Sequence, residues 1–489
     1  MEKRSIKAQL VSGVFYTAIA KYAGIVISII ITGVLSRLLT PEDFGTIVPI
    51  MVLVTFFTIL GDMGVGPAVL QNKTLTPKDI NSIFSIMVLM GMVISIVFFL
   101  SSWSIADMYD NDIFVNLCQL LTISLFFSCA NIVPNALLYK AKMFRFLAMR
   151  SLFVQFVAGA VAILSAYFGA GLYALVIQSL MASVLLFAVS YRANPLKLSL
   201  WKIDFAPMRK ILDFSSYQFL FNILNYFSVN LDKLLLNKYM GSTQLGYYDK
   251  SYKLMQMPLQ NIPYVITPVM HPIFADMQTD VAQMHVMYAK VVRFLAFIGF
   301  PLSVFLYFAG QELIFILFGM QWGASIPVFK ILALSVGFQI VLSTSGSIFQ
   351  ASNSTKLLLL CGILSTLTIV TAIFVGLLMF NTIEALAICL SCAFATNFIV
   401  CFFIMYHFVF KVHFLRFLKQ LISPLVLAAL SAMVLYVVTL VMAESGLILS
   451  ILTKGCVAGV LFVFYIQYTN EYNLLSKARQ YLAKFRGQL

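Results

Sequence analysis

Long apolar stretches, separated by short groups of charged, Gly, Pro and Asn residues, run through the whole 489-residue chain. Each stretch has about the 20 mainly apolar residues that an α-helix needs to cross a bilayer. Fourteen such stretches lie at 12–38, 44–70, 80–104, 114–139, 150–168, 172–191, 212–239, 246–274, 288–310, 325–350, 357–379, 383–406, 420–442 and 447–468. The pattern predicts an all-α polytopic membrane protein with fourteen transmembrane helices.

Composition supports this class and excludes a water-soluble one. Hydrophobic residues make up 61% of the sequence and charged residues only 10%, which is more apolar surface than a soluble core can bury. Most Lys and Arg residues fall in segments on the side of the N-terminus, as the excess in cytoplasmic loops requires. The outer loops are short and acidic, such as "ADMYDND" at 106–112. Both termini are therefore predicted to be cytoplasmic.

The net charge of +14 raises the question of an anionic partner. Basic residues alternate with aromatic ones in 138–150 and 195–210, a pattern compatible with RNA binding. Beside membrane spans it is more simply explained by anchoring to anionic lipid headgroups. We therefore predict contact with anionic membrane lipids and no nucleic acid partner.

An internal repeat predicts two lobes. "SRLLTPEDFG" (36–45) aligns with "NKYMGSTQLG" (237–246) at an offset of 201 residues (237 minus 36), with Arg37 over Lys238 and Gly45 over Gly246. Repeats of this kind are typical of transporters, whose sites lie between the repeats. We predict two six-helix lobes related by a pseudo-two-fold axis. The boundaries are an N-lobe at 1–191, a cytoplasmic linker at 192–211, a C-lobe at 212–406, and two extra helices with a basic cytoplasmic tail at 407–489.

Several charged residues fall inside the predicted spans, where a cation costs about 2.5–3.5 kcal/mol. Depth along the helices places Lys21 level with Asp62, and Asp232 and Lys233 level with Lys253. One interpretation is ion pairing between neighbouring helices, and another is that Lys253 and Lys330 extend to the outer interface. A third is a basic cavity for an anionic substrate. Asp62 and Asp232 are the candidates for ion coupling or ion pairing.

A polar face on the seventh span supports the cavity. Gln218, Asn222, Asn225 and Asp232 follow helical spacing, and Lys21 aligns with Asn222 in the repeat. Ammonium groups neutralise phosphates, and amides exchange hydrogen bonds with sugar hydroxyls. The alternative is that this face only packs helices together. The predicted substrate-binding residues are Lys21, Arg37, Gln218, Asn222, Asn225, Lys233, Lys238, Lys253 and Lys330.

Motifs for chemistry are sparse. The sequence contains no GxxxxGK[ST] loop for ATP hydrolysis, and all seven cysteines fall in apolar runs without metal-ligand spacing. We therefore expect no catalytic residues, no metal site and no cofactor, so that the protein is not an enzyme. Energy would come from H⁺, Na⁺ or the membrane potential.

Three segments carry a family resemblance: "LSRLLTPEDFG" (35–45), "GDMGVGPAVLQ" (61–71) and "LDKLLLNKYMGSTQLGYYDKSYKLMQMPL" (231–259). Together they resemble the polysaccharide transporter (Wzx-type) branch of the multidrug/oligosaccharidyl-lipid/polysaccharide exporter superfamily, most of all its colanic-acid and teichuronic-acid members. The resemblance implies fourteen helices, two lobes and a central cavity. It also implies transfer of undecaprenyl-pyrophosphate-linked oligosaccharide from the cytoplasmic to the periplasmic leaflet of a bacterial inner membrane. Such transfer serves O-antigen, capsule or exopolysaccharide synthesis.

Three other functions stay open at this point. A cation-coupled multidrug exporter of the same superfamily is disfavoured by fourteen spans and by a more basic than acidic interior. A membrane polysaccharide polymerase or ligase is disfavoured because it needs a sizeable outer loop for its acceptor, and none is predicted. A nonenzymatic scaffold within the polysaccharide polymerase and export machinery fits the sequence too. Genes for glycosyltransferases beside this one would favour the flippase.

Overall fold

The computed structural model of the chain describes residues 6–198, 204–275, 277–278 and 280–469. Helices account for nearly all of them, and no β-strand occurs in these ranges. The first half contains α1 (Ile6–Leu38), α2 (Pro41–Asp62), α3 (Val65–Gln71), α4 (Pro77–Tyr109), α5 (Ile113–Ala130), α6 (Ile132–Lys140), α7 (Phe144–Tyr167) and α8 (Tyr173–Ala193). The prediction of an all-helical membrane protein is confirmed.

The second half begins with the 70-residue α9 (Ala206–Ala275), which has a break at Gly241, where φ is 83°. It continues with α10 (Val281–Phe308), α11 (Gly310–Leu317), a 3₁₀ turn (Met320–Trp322), α12 (Ser325–Ala333), α13 (Val336–Leu342) and α14 (Ser345–Ala351). The last helices are α15 (Thr355–Val375), α16 (Ile383–Ile404), α17 (Leu415–Val441) and α18 (Leu447–Tyr468). Short π-helical turns, Gly376–Phe380 and Met405–Val409, extend α15 and α16.

The structure accounts for eleven or twelve of the fourteen predicted spans within the residues that it describes. Within the described residues, eleven helices are long and apolar enough to cross a membrane, or twelve if the bent pair Ser325–Ala333 and Val336–Ala351 counts as one span. The predicted seventh and eighth spans both lie in α9, on either side of Gly241. Fourteen spans and the orientation of the termini remain predictions.

Local sequence explains where two of the long helices begin. Thr40 and Thr76 each accept a hydrogen bond from the backbone N–H three residues later, and the aspartate at that position bonds back. A proline follows each threonine, where its missing N–H costs nothing. The same T-P-x-D motif thus forms a capping box at the start of both α2 and α4.

Residues group into two compact units. The first unit comprises Met1–Gly246 with Leu317–Gln321, and the second comprises Tyr247–Ile316 with Trp322–Leu489. The predicted lobe boundary at 192–211 remains a prediction, and 199–203 of that linker lies outside the described residues, as does the predicted basic tail beyond 469.

Each unit has its own core. The core of the first unit lies where α3, α4 and α6 meet, and its buried side chains include Val65, Val69, Phe84 and Met87. In the second, rings from α10, α16 and α17 pack together, with Phe402 stacked on Phe417 at 4.3 Å between centroids. Aromatic pairs of this kind contribute about 0.5–1.5 kcal/mol beyond area burial.

Candidate functional site

Two of the predicted cavity residues, Arg37 and Lys238, make structural contacts within the first unit. Arg37 donates hydrogen bonds to the carbonyl oxygens of Gly33 at 2.9 Å and Leu317 at 3.3 Å. Lys238 forms a 2.9 Å salt bridge with Asp110 in the loop after α4. Arg37 therefore joins the ends of α1 and α11, and Lys238 joins α9 to the loop after α4.

Asp232 and Lys233 lie on α9 before the break at Gly241. Asp232 is buried and accepts a hydrogen bond at 2.8 Å from the backbone N–H of Lys233. The half-buried Lys233 ammonium donates to the side-chain oxygen of Asn230 at 3.2 Å. The Asp232 carboxylate and the Lys233 ammonium are thus both held by hydrogen bonds within α9.

Asp62 lies at a break in the second predicted span. The chain leaves α2 at Asp62, passes through Met63 (φ 44°) and Gly64 (φ 75°), and resumes as α3 at Val65. The Asp62 carboxylate bridges this break by accepting a hydrogen bond from the Gly66 N–H at 3.0 Å. Interrupted membrane helices free backbone polar groups and recur at the binding sites of transporters.

A second interruption packs against the first. Helix α5 ends at Ala130 and α6 begins at Ile132, with Asn131 between them, and α6 contacts α3. Beside these breaks lies a cavity of about 440 Å³. Its lining combines one carboxylate with hydroxyl, phenol and amide groups and an otherwise apolar wall: Thr58, Ile59, Asp62, Gly66, Pro67, Leu70, Ile132, Asn135, Ala136 and Tyr139.

Arg150 backs one wall of this cavity. The buried guanidinium donates to the Asn135 side-chain oxygen at 2.9 Å and to the Ser190 hydroxyl at 2.6 Å. The Asn135 amide is thereby fixed with its oxygen toward Arg150, so that its N–H groups remain for other partners. Asp62 is the single carboxylate in the lining, so the cavity is suited to a proton or a small cation.

Lys253 in the second unit has a partner that its position along the predicted span does not indicate. Its ammonium lies 2.6 Å from the Asp249 carboxylate, one turn earlier on the same helix, whereas the sequence predicts Asp232 and Lys233 as its neighbours. The i,i+4 spacing explains the choice, because such side chains are adjacent on one helix face. Lys253 is 60% exposed although Asp249 is almost fully buried. The cation is thus held at the protein surface inside a predicted span.

Lys330 is half-buried on α12 and lies over the ring of Tyr307, 5.8 Å from its centroid. Lys21 is half-buried on α1. Its predicted pairing with Asp62 remains a prediction. The side chains of Gln218, Asn222 and Asn225 lie outside the part of the chain whose side chains the structure describes, so the polar face of the seventh span is also still a prediction.

Two intramembrane lysines are missing from the sequence-based set. Lys250 is buried, with its ammonium 5.1 Å from the centroid of the Trp322 ring. Lys454 in α18 forms a 2.5 Å salt bridge with Glu312 and donates to the Phe308 carbonyl oxygen at 2.8 Å. Asp249 and Glu312 are buried, so the described residues include buried acids besides the two candidates Asp62 and Asp232.

The Glu312 and Lys454 pair links α18 to α11. The Ser450 hydroxyl donates to the same Glu312 oxygen at 2.6 Å. Both charged side chains are less than 10% exposed. A signal for Lys454 exists in the sequence, since it interrupts the apolar run at 447–468, but its partner is 142 residues away and no spacing rule connects them.

Long apolar helices, two of them interrupted beside a polar cavity, define a polytopic membrane fold, and solved structures share it. The chain matches the lipid II flippase MurJ in an inward closed conformation with a TM-score of 0.76, 14% identity, and coverage of 93% of this chain and 98% of that one. An inward-facing multidrug resistance MATE transporter of the MOP superfamily matches with a TM-score of 0.60, 14% identity, and coverage of 81% and 95%. At such identities the likeness shows the fold alone.

The sequence places the chain more narrowly. Residues 34–327 match the polysaccharide biosynthesis protein family, and the protein belongs to that family. Similar relatives are the teichuronic acid biosynthesis protein TuaB of Bacillus subtilis (strain 168), 23% identical over 72% of this chain and 73% of its own length, and the lipopolysaccharide biosynthesis protein WzxC of Escherichia coli (strain K12), 23% identical over 76% of each. Together with its long apolar helices, this membership makes it a multi-pass membrane protein.

Proposed function

We propose that the protein is a flippase that moves undecaprenyl-pyrophosphate-linked oligosaccharide repeat units from the cytoplasmic to the periplasmic leaflet for surface polysaccharide synthesis. Family membership and the polysaccharide relatives support a lipid-linked saccharide as cargo. The observation that carries the proposal is the Lys253 side chain, which is 60% exposed inside a predicted span and is paired with a buried acid. A cation in that position is costly in lipid and favourable beside a pyrophosphate.

The proposed mechanism is alternating access through a basic cavity by fourteen helices in two lobes. The saccharide and pyrophosphate cross through water while the prenyl tail stays in lipid. Lys21, Lys233, Lys253 and Lys330 neutralise the pyrophosphate, and amide side chains bind sugar hydroxyls. Each contact is a single ammonium and not a bidentate Arg fork, which suits a cargo that must be released again.

We propose Asp62 as the group that couples transport to H⁺ or Na⁺. Its carboxylate is the one acidic group lining the 440 Å³ cavity, and it sits at the break between α2 and α3. Neutralising it changes the charge at a point where the helix is already discontinuous, so cation binding and the geometry of that break are linked. The membrane potential contributes to the driving force as well, because the H⁺ or Na⁺ bound at Asp62 would cross the membrane during transport.

A deletion strain tests the proposal. We expect it to lose surface polysaccharide and to accumulate lipid-linked repeat units that an impermeant oxidant cannot reach from outside. Wild type should restore export, whereas Lys21→Gln should insert normally and fail to do so. Repeat units accumulating in the outer leaflet would indicate a polymerase or ligase instead. Increased drug sensitivity with normal polysaccharide would indicate a drug exporter, and normal export by Lys21→Gln would remove Lys21 from the site.

A further inference from the structure

One face of the second half of α9 is polar although it is exposed within a predicted span. On the opposite face, Ser251 and Met255 are buried, and the Ser251 hydroxyl donates to the Ser325 carbonyl oxygen at 2.8 Å. At 100° per residue, positions 253, 256 and 260 point away from that packed face. Lys253 and Gln260 are exposed and Gln256 is half-buried.

The side chains on this face are joined in pairs. Asp249 holds Lys253 at 2.6 Å, and the Gln260 amide nitrogen donates to the Gln256 side-chain oxygen at 3.0 Å. Gln256 and Gln260 lie midway between the break at Gly241 and the end of the helix at Ala275. They are therefore at the depth where transporters bind their cargo. We call Lys253, Gln256 and Gln260 the α9 stripe.

Lipid does not explain the α9 stripe. Along α4, for comparison, the side chains exposed in the middle of the span are apolar: Met92, Val93, Ile96, Val97 and Leu100. Polar groups at this depth normally face the protein interior or a water-filled path, because hydrocarbon offers them no hydrogen bonds. Packing between helices does not explain the stripe either, since Lys253 and Gln260 remain exposed.

We propose that Gln256 and Gln260 read the sugar of the cargo, next to the pyrophosphate bound at Lys253. The inference rests on the proposed function and names the part of the cargo that each position recognises. An amide combines N–H donors with a carbonyl acceptor and so pairs with hydroxyl groups that both donate and accept. The rise of 1.5 Å per residue places Gln256 about 4.5 Å and Gln260 about 10.5 Å along the helix from Lys253. The two amides are thus specificity-determining residues for the sugar nearest the pyrophosphate.

Water access is the first test. Gln260→Cys in membrane vesicles should react with a charged methanethiosulfonate, read site by site by mass spectrometry. The chain carries its own controls, because Cys392 and Cys456 are exposed on other spans and should stay unmodified in hydrocarbon. A Gln260→Cys thiol that reacts no faster than these two would place the stripe in lipid and overturn the proposal.

Lipid binding is the second test, made on the purified full chain with undecaprenyl pyrophosphate and with the same lipid bearing one galactose. Wild type should bind the galactosylated lipid about tenfold more tightly, and the double variant Gln256→Leu with Gln260→Leu should lose that preference while still binding the bare lipid. Gln71→Leu, at an exposed position of α3, is the matched control. A double variant that keeps the preference, or a wild type that has none, overturns the sugar assignment. A wild type that binds neither lipid overturns the proposed function itself.

Discussion

Gly45 and Gly246 lie in direct backbone contact, and neither has room for a side chain. A Cβ added to Gly45 would overlap the Ser242 carbonyl and lie 2.9 Å from the Gly246 nitrogen, and one added to Gly246 would overlap the Pro41 carbonyl. The contacts are reciprocal at the 201-residue offset of the sequence repeat, since Pro41 aligns with Ser242. The pseudo-two-fold axis between the lobes, which would pair residues in this way, stays a prediction.

The glycine contact predicts that a single methyl group is damaging there. We expect Gly45→Ala and Gly246→Ala each to destabilise the protein, because the clash is with backbone that cannot rotate away, at a cost of about 1–3 kcal/mol. The melting temperature in detergent measures the effect. Gly362→Ala is the control, since a Cβ there meets nothing within 4 Å and alanine favours the helix. Equal melting temperatures for all three would contradict the contact.

Replacing Lys454 should leave the buried Glu312 carboxylate without its cation. Lys454→Met leaves Glu312 without its cation, and breaking a buried pair costs about 3–5 kcal/mol. Adding Glu312→Gln should recover much of the stability, because a neutral amide no longer needs the ammonium. Thermal unfolding of the two single variants and the double variant measures the coupling. A double variant as unstable as the sum of the single ones would mean that the pair is not coupled.

Removing the Asp62 charge should uncouple transport. Asp62→Asn keeps an oxygen for the Gly66 N–H but cannot bind a proton or Na⁺ in the same way. In proteoliposomes we expect flipping of lipid-linked saccharide to continue without responding to an imposed pH or Na⁺ gradient. Asp107→Asn, an exposed position at the end of α4, serves as the control. A response to the gradients as large as that of wild type would assign coupling to another acid.

Lys253 should matter for export more than for stability. The Lys253 side chain is 60% exposed but its partner Asp249 is buried, so replacing the lysine alone would leave a buried carboxylate without its cation. We expect the double variant Asp249→Asn with Lys253→Gln to melt within a few degrees of wild type and to export much less polysaccharide, and Lys253→Arg to export more than the double variant because the charge stays. Quantification of surface polysaccharide at matched protein level measures this. Equal export by both variants would limit Lys253 to a structural role.

Hydropathy and capping motifs account for what the sequence predicts well. The apolar runs locate α4, α8 and α16 to within a few residues, because each must reach across the bilayer. The interruptions at Met63 and Asn131 are not predicted in this way, since both lie inside apolar runs and an averaged hydropathy does not detect a change over one or two residues.

Some ion pairs can be predicted from the sequence and others cannot. The contact of Asp249 with Lys253 follows i,i+4 spacing that is visible in "DKSYK" at 249–253. Glu312 and Lys454 are brought together only by tertiary packing, and no periodicity in the sequence relates them. Local rules therefore predict contacts within one helix, whereas the cavity at Asp62 depends on which helices become neighbours.

The Glu312 and Lys454 pair bears on how the chain is completed during synthesis. Glu312 in α11 is synthesised long before the ribosome reaches α18, the last described helix. Until then it is a carboxylate without its cation, and nascent or truncated chains would display an unneutralised acid. The ion pair can therefore form only after the ribosome has passed α18 and that helix has packed against α11.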